Sequence, residues 1–328
     1  MNDYLVQVAE TFSREAPACD GWSLRLVEQE EETLSVRQGV LQPVLMRVER
    51  GALISILSEG VAGYAATSDL TAEGLRAAAD RARCWARDTR QYPLWRASDL
   101  PLPGIRASYQ SPVAQPWHEL TLEDKIDLLQ QACAALKIDA RILDWEAWLG
   151  HRRKDVLLTT SAGARIAQRF HTLAPGLAAV ANQGSQTQRR TGGGARYGRQ
   201  GGLEQLPQVG FPQHAQRVAE EALALLEAPE CPSERMDLLL MPSQMALQIH
   251  ESIGHPLELD RILGDERNYA GTSFVSLAMF GHYRYGSELL NVTFDPTRPE
   301  QLASYAFDDE GSAAQRVHLI EAGILKRA

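Results

Sequence analysis

Cysteine is scarce in this sequence: Cys19, Cys84, Cys133 and Cys231 are the only four among 328 residues, and no two form a Cys-x-x-Cys pair. That excludes a disulfide scaffold and a zinc-finger framework, and leaves reduced, mostly buried thiols as the expectation. Long apolar runs are missing as well. No stretch of eighteen residues is continuously apolar, so no membrane-spanning helix is predicted. The first ten residues lack the basic start and apolar core of a signal peptide, which points to a cytoplasmic protein. Positive charge is in deficit, with 33 Lys and Arg against 42 Asp and Glu and a formal net charge of −9. An acidic surface repels phosphate backbones, so nucleic acid is not an expected partner. No internal repeat is present. What remains is 44% hydrophobic and 23% charged, an ordinary globular balance with room for about two domains.

Hydropathy periodicity predicts a helix over 4–16, closed by Pro17, and then short strands at 22–27, 33–36, 44–48 and 53–57. The acidic run Glu28-Gln29-Glu30-Glu31-Glu32 between two of these reads as a solvated hairpin connection. Residues 71–85 are rich in helix formers, and 92–116 read as a long connection. Thr121 with Asp124 forms a capping-box pattern, opening a helix whose apolar stripe is Leu122, Ile126, Leu129, Cys133 and Leu136. Strand-like runs return at 145–151, 156–160, 165–173 and 177–182, followed by a glycine-rich stretch and a helix over 214–227. The stretch Arg189 to Arg199, basic and rich in glycine, reads as a flexible loop lining a peptide channel more readily than as an RNA site. Cys231-Pro232-Ser233 marks the expected boundary between a domain at 1–230 and a second at 231–328. The second opens with an apolar strand at 236–241, ended by Pro242, and a helix capped by Ser243. The predicted fold class is α+β: helices with an antiparallel sheet, then a β-rich domain led by a strand and a helix.

The chemistry concentrates in Ile249-His250-Glu251-Ser252-Ile253-Gly254-His255-Pro256. Two histidines and a glutamate in six residues suit a metal hydrolase. Imidazoles hold Zn²⁺ at about 2.0–2.1 Å, and the ion lowers a water's pKa to about 7, within reach of a carboxylate base. The five-residue spacing is unusual. On a straight α-helix such residues lie about 140° apart and cannot share an ion. Gly254 loosens the last turn, and Pro256 disfavours α conformation at His255. A widening to a π-type turn at 252–255 is therefore expected, swinging His255 towards the metal. The competing reading is a helix C-terminus whose histidines satisfy free carbonyls.

His250-Glu251-xxx-His255 with Glu258, Asp260 and the following Asn268-Tyr-Ala-Gly271-Thr-Ser-Phe274 resembles the TldD/PmbA (TldD/TldE) metallopeptidases. Gly192-Gly-Gly-Ala-Arg196-Tyr, Tyr305-Ala-Phe-Asp308-Asp-Glu-Gly311, the segment 317–325 and Gly63 to Thr71 resemble further stretches of that family. The resemblance implies a zinc-dependent peptidase acting on small or unfolded peptides. It also implies a homodimer, or a heterodimer with a TldE/PmbA-type subunit that lacks the metal motif. Carried onto this sequence, His250 and His255 are metal ligands and Glu251 is the general base. Gly193, Arg196, Asp308 and Asp309 are candidates for substrate binding, and Glu258 and Asp260 for orienting the histidines. The family's third ligand is a cysteine downstream of the Asp308–Gly311 segment, to which Cys231 does not correspond. The sequence as given is therefore expected to lack the C-terminal part, with Asp260, Glu258 or His282 as substitute ligands. The alternative is a catalytically impaired subunit that binds peptide or completes a partner.

Overall fold

The computed structural model describes residues 3–92, 102–193 and 197–328. Helix α1 (Asp3–Glu15) leads into β1 (Gly21–Arg37), β2 (Val40–Leu41), β3 (Leu45–Ser58) and β4 (Val61–Thr67). Next come α2 (Ala72–Thr89), β5 (Arg106–Gln110) and α3 (Leu122–Leu136), then the two longest strands, β6 (Ile142–Thr160) and β7 (Arg165–Gln183). β8 (Gln186–Gly193), β9 (Arg199–Gln200), α4 (Gln205–Gln208) and α5 (Ala215–Glu227) close the first region. Among the described residues the strands form one sheet, ordered β4-β3-β1-β6-β7-β5, with β2 on β1 and β8 and β9 on β7. All pairings are antiparallel except β5 on β7. The α+β class expected from the sequence is the class observed.

The strand at 22–27 does not end at the acidic run. β1 passes straight through Glu28–Glu32 for 17 residues, and 44–48 and 53–57 are likewise one strand. Charge explains the correction. Even-numbered β1 residues share one face. On it Trp22, Leu24 and Leu26 join a core with α1 and α2, while Leu34 and Val36 join a second core with α3 and α5. Between the two cores lies a polar belt of cross-strand rows. Arg50, Glu28, Asp155 and Arg169 form one row, and Val48, Glu30, Arg153 and His171 the next. Glu28 is only 3% exposed and pairs with Arg50 and Arg153, while Arg169 Nε lies 2.6 Å from Asp155. Cations from other strands neutralise acids that look solvated in one dimension. The stretch 186–193 also differs from the expected loop: it is a strand, with Arg190 paired to Glu221.

The capping box of Thr121 and Asp124 is present, and Leu129, Cys133 and Leu136 are buried as their stripe predicts. Leu122 is exposed, and Lys125 is buried in its stead, 3.5 Å from Glu32 and over the Trp117 ring. Part of the expected connection 92–116 is β5, and 93–101 lies outside the described residues.

The second region is built from short pieces: α6 (Pro242–Ile249), α7 (Leu259–Leu263) and a three-stranded sheet of β10 (Val292–Phe294), β11 (Val317–Glu321) and β12 (Ile324–Leu325). Its buried apolar residues are Ile253, Leu257, Val275, Ile320 and Leu325. Residues 300–310 lie on the back of the long sheet, where Gln168 holds both the N–H and the C=O of Phe307 and Gln200 donates to Ser304 O at 2.6 Å. The apolar segment 236–241 forms no ladder among the described residues, and Leu238 and Leu239 are 76% and 87% exposed. An apolar run predicts a strand only where a partner strand stands beside it.

Candidate metal centre

Met241 is the N-cap of α6 and Pro242 its first residue, so Ser243 is not the cap. Proline suits that position because its missing N–H has no helical acceptor there and its φ is already helical. The helix runs regularly to Ile249 and then widens. Residues His250–Gly254 form a π-turn, in which the N–H of His255 donates to the carbonyl of His250, and His255–Leu257 tighten into a 3₁₀ turn. The extra residue per turn cancels the angular offset of a five-residue spacing. The two imidazole rings therefore meet, centroid to centroid, at 4.1 Å. The turn is fixed from below by Ile253 and Leu257, whereas α6 itself buries no residue.

Glu251 stands beside both rings. Its carboxylate oxygens lie 3.9 Å from His250 Nε2 and 4.0 Å from His255 Nε2, and the three donors fall within 4.8 Å of one another. Among the described residues this is the one group of three or more such donors close enough to share an ion. Glu258 accepts a hydrogen bond from His255 Nδ1 at 2.7 Å, which fixes the ring and turns its Nε2 lone pair towards Glu251. Arg261 clamps Glu258 from the other side and donates to the carbonyl of Ala270 at 2.8 Å. Burial by itself raises the Glu258 carboxyl, but hydrogen bonds from His255 and Arg261 outweigh it and hold it below the usual carboxylate range. Donor chemistry, convergence and an oriented imidazole all suit a divalent transition metal.

The other expected site residues lie apart from this group. Asp260 accepts from the backbone N–H of Arg261 and lies in the first turn of α7. His282 is exposed and outside the donor cluster. Asp308 closes a local turn by accepting from the N–H groups of Glu310 and Ser312, and Asp309 pairs with Arg25 on the back of the long sheet. Gly193 has φ +123°, and a Cβ there would stand 2.2 Å from Gly176 Cα, so close approach to β7 requires glycine. Arg196 lies outside the described residues.

Two supports escaped the sequence reading. Tyr285 donates its hydroxyl to the carbonyl of Ser252, inside the π-turn, at 2.6 Å. Ser273 donates to the carbonyl of Pro256 at 2.6 Å. Widening a helix breaks its regular hydrogen-bond ladder, and the tyrosine supplies a donor to the displaced backbone. No spacing signal links residues 33 apart.

Three family models cover most of the chain. PmbA/TldA metallopeptidase domain 1 matches residues 22–84, the central domain 115–226 and the C-terminal domain 233–328. The chain belongs to the PmbA/TldD family. Among curated relatives it is similar to Metalloprotease slr0863 of Synechocystis sp., 26% identical over 323 residues, which are 98% of this chain and 66% of that protein. It is also similar to the Metalloprotease TldD homolog of Buchnera aphidicola subsp. Acyrthosiphon pisum, 28% identical over 65% of this chain and 43% of that one. The chain thus spans two thirds or less of these relatives' length. The fold is shared with a putative modulator of DNA gyrase from Bacteroides thetaiotaomicron, with TM-score 0.73, 17% identity and coverage of 99% of this chain and 71% of that one. TldE from Thermococcus kodakarensis also shares it, with TM-score 0.64, 16% identity and coverage of 99% and 68%. Relatives named metalloproteases imply a metal ion for the family.

Proposed function

We propose that this PmbA/TldD chain is the metal-carrying, TldD-type subunit of a zinc-dependent peptidase acting on small or unfolded peptides in the cytoplasm. The observation that carries the reading is the π-turn, which brings His250, Glu251 and His255 together while Glu258 orients His255. His250 Nε2 and His255 Nε2 would hold the ion. When bound, it supplies Lewis acidity, acidifying a water and polarising the scissile carbonyl. Glu251 takes the proton of the attacking water on its carboxylate and returns it to the leaving amine nitrogen. The side chain is 59% exposed, so an extended peptide reaches it without unfolding the site. We take 1–230 as the unit that frames the site and 231–328 as the unit that carries it, and a homodimer or a pairing with a TldE/PmbA-type subunit as the working form. No described helix is long and apolar enough to cross a membrane.

The test pairs metal analysis with hydrolysis of an unstructured peptide. Stoichiometric zinc, hydrolysis abolished by a chelator and a Glu251→Gln chain that binds zinc without cleaving are expected. Chelator-insensitive cleavage, or an unimpaired Gln variant, overturns the mechanism. A second reading is a catalytically impaired, peptide-binding subunit. It is favoured by the donor set among the described residues, two imidazoles beside the carboxylate, where zinc sites ordinarily have three protein ligands besides the base. Purified chain that holds no zinc at neutral pH would select it.

A further inference from the structure

The outer edge of the long sheet is paired over only half of β3. β4 covers β3 from Ala52 to Ser58, whereas residues 45–51 pair with β1 on their inner side and, among the described residues, with no strand on their outer side. The register against β1 is continuous through this stretch, without a bulge, and the segment contains no proline. Leu45, Met46 and Val48 are 63%, 78% and 58% exposed. A straight apolar edge of this kind offers its free N–H and C=O groups to another strand.

The charges on the edge say which strand fits. Arg47 and Glu49 point to one face of the sheet and ion-pair with each other, two residues apart. Met46, Val48 and Arg50 point to the other face, opposite Glu32, Glu30 and Glu28 of β1. Laid antiparallel against the same edge of a second copy, with the two-fold axis through Val48, Arg47 stands opposite Glu49 on both sides of the axis. Met46 then stands against Arg50, and Val48 against Val48. Opposite charges facing each other across an antiparallel pair stabilise it, and like charges destabilise it. Moving the axis to Arg47 or to Glu49 sets that charge against itself, and moving it to Met46 sets Arg47 against Leu45, so the axis through Val48 is the one that forms both Arg47–Glu49 pairs. The contact is isologous, as a two-fold pair requires.

We propose that residues 45–51 form an antiparallel seam with the same residues of a second copy of this chain, joining two sheets into one. The inference rests on the part of the proposed function that has the chain working as a pair, and it names the surface. Met46, Arg47 and Val48 also line a cleft of about 600 Å³ over the polar belt, together with Glu30, His151 and Trp117. The seam therefore forms one wall of each copy's cleft.

The test is the mass of the chain in solution, by sedimentation equilibrium, with chelator present so that metal binding and peptidase activity do not enter the readout. The unaltered chain is expected to be a dimer. Arg47→Glu and Glu49→Arg each place two like-charge pairs across the seam, and each should weaken dimerisation about tenfold or more. The double variant R47E/E49R restores the opposite pairs and should dimerise again, although residue 47 is disturbed against β1 as much as in the single variant. An equimolar mixture of the two single variants should form a heterodimer, read by native mass spectrometry with one chain mass-tagged. An unaltered chain that stays monomeric at about 100 µM overturns the proposal. So does a dimer indifferent to both single variants, or one that neither the double variant nor the mixture recovers. Protection of 45–51 by an added extended peptide in a monomeric chain would reassign the edge to peptide. Loss of peptidase activity with an intact dimer leaves the seam standing and removes only the enzymatic reading.

Discussion

The long sheet and the region of the His250–His255 turn treat their apolar residues in opposite ways. In the first, α1 and α2 close one core and α3 and α5 another on the same sheet face, with Leu24, Leu26, Leu34 and Leu149 fully enclosed. In the second, five buried residues form the core, and α6 leaves Met245, Leu247 and Ile249 exposed beside the very turn that carries the histidines. Rigidity is thus concentrated in the frame. The site stands on a helix held at one end only, by Ile253, Leu257, Tyr285 and the Glu258–Arg261 clamp. Such an element belongs to the low-stability end of a protein's range, and a bound ion there would add to its stability by mass action.

The sharpest way to break this comparison is to cut the same side chain in both regions. Leu149→Ala opens a cavity in a closed core and should cost about 2–5 kcal/mol in urea unfolding. Leu247→Ala, on the open face of α6, should stay within about 0.5 kcal/mol. Equal losses would show that α6 is covered in solution.

Acid should weaken the frame through a buried histidine. Burial, with His171, Lys125 and Arg153 near by, lowers the His151 pKa from 6.5 to about 4. The unfolded imidazole takes its proton below pH 6.5 and the folded one only below about 4, so stability falls as pH drops through that window. The loss should reach up to about 3 kcal/mol, and His151→Gln should flatten that part of the profile. A Gln variant with the same acid slope would remove His151 as its source.

Within the site, Glu258→Gln should weaken metal binding by about 10–100-fold, read by titration calorimetry, because His255 loses its charged orienting partner. Tyr285→Phe removes the hydroxyl at the Ser252 carbonyl and should cost about 1 kcal/mol, seen as faster amide exchange over 250–255. Unchanged exchange there would mean that the π-turn holds itself.

Much of the frame is legible in the sequence because its signals are local. The helical stripe at 122–136, the cap at Thr121 and the boundary at Pro17 each depend on residues within one or two turns. A widened turn is legible in the five-residue histidine spacing, but it falls at 250–254 rather than 252–255, and Pro256 does not act as expected: His255 keeps right-handed helical geometry (φ −59°, ψ −43°). The continuity of β1 is not legible, because the cations that neutralise Glu28 and Glu30 come from Arg50 and Arg153, on other strands. Asp308 and Asp309, read as candidates for a substrate cleft, belong to a turn docked on Arg25, a partner far away in the chain.

By itself, then, the sequence determined the spacing of His250, Glu251 and His255, the expectation of a widened turn between the histidines and the α+β class, all read from residues near one another in the chain. Tertiary structure alone decided that an acidic run lies inside a strand and that Glu258, rather than Asp260, orients His255. It also decided that Tyr285 supports the turn and that half of β3 faces outward. Charge neutralisation, hydrogen-bond partners and strand neighbours act through space, and residues distant along the chain supply them only once it has folded.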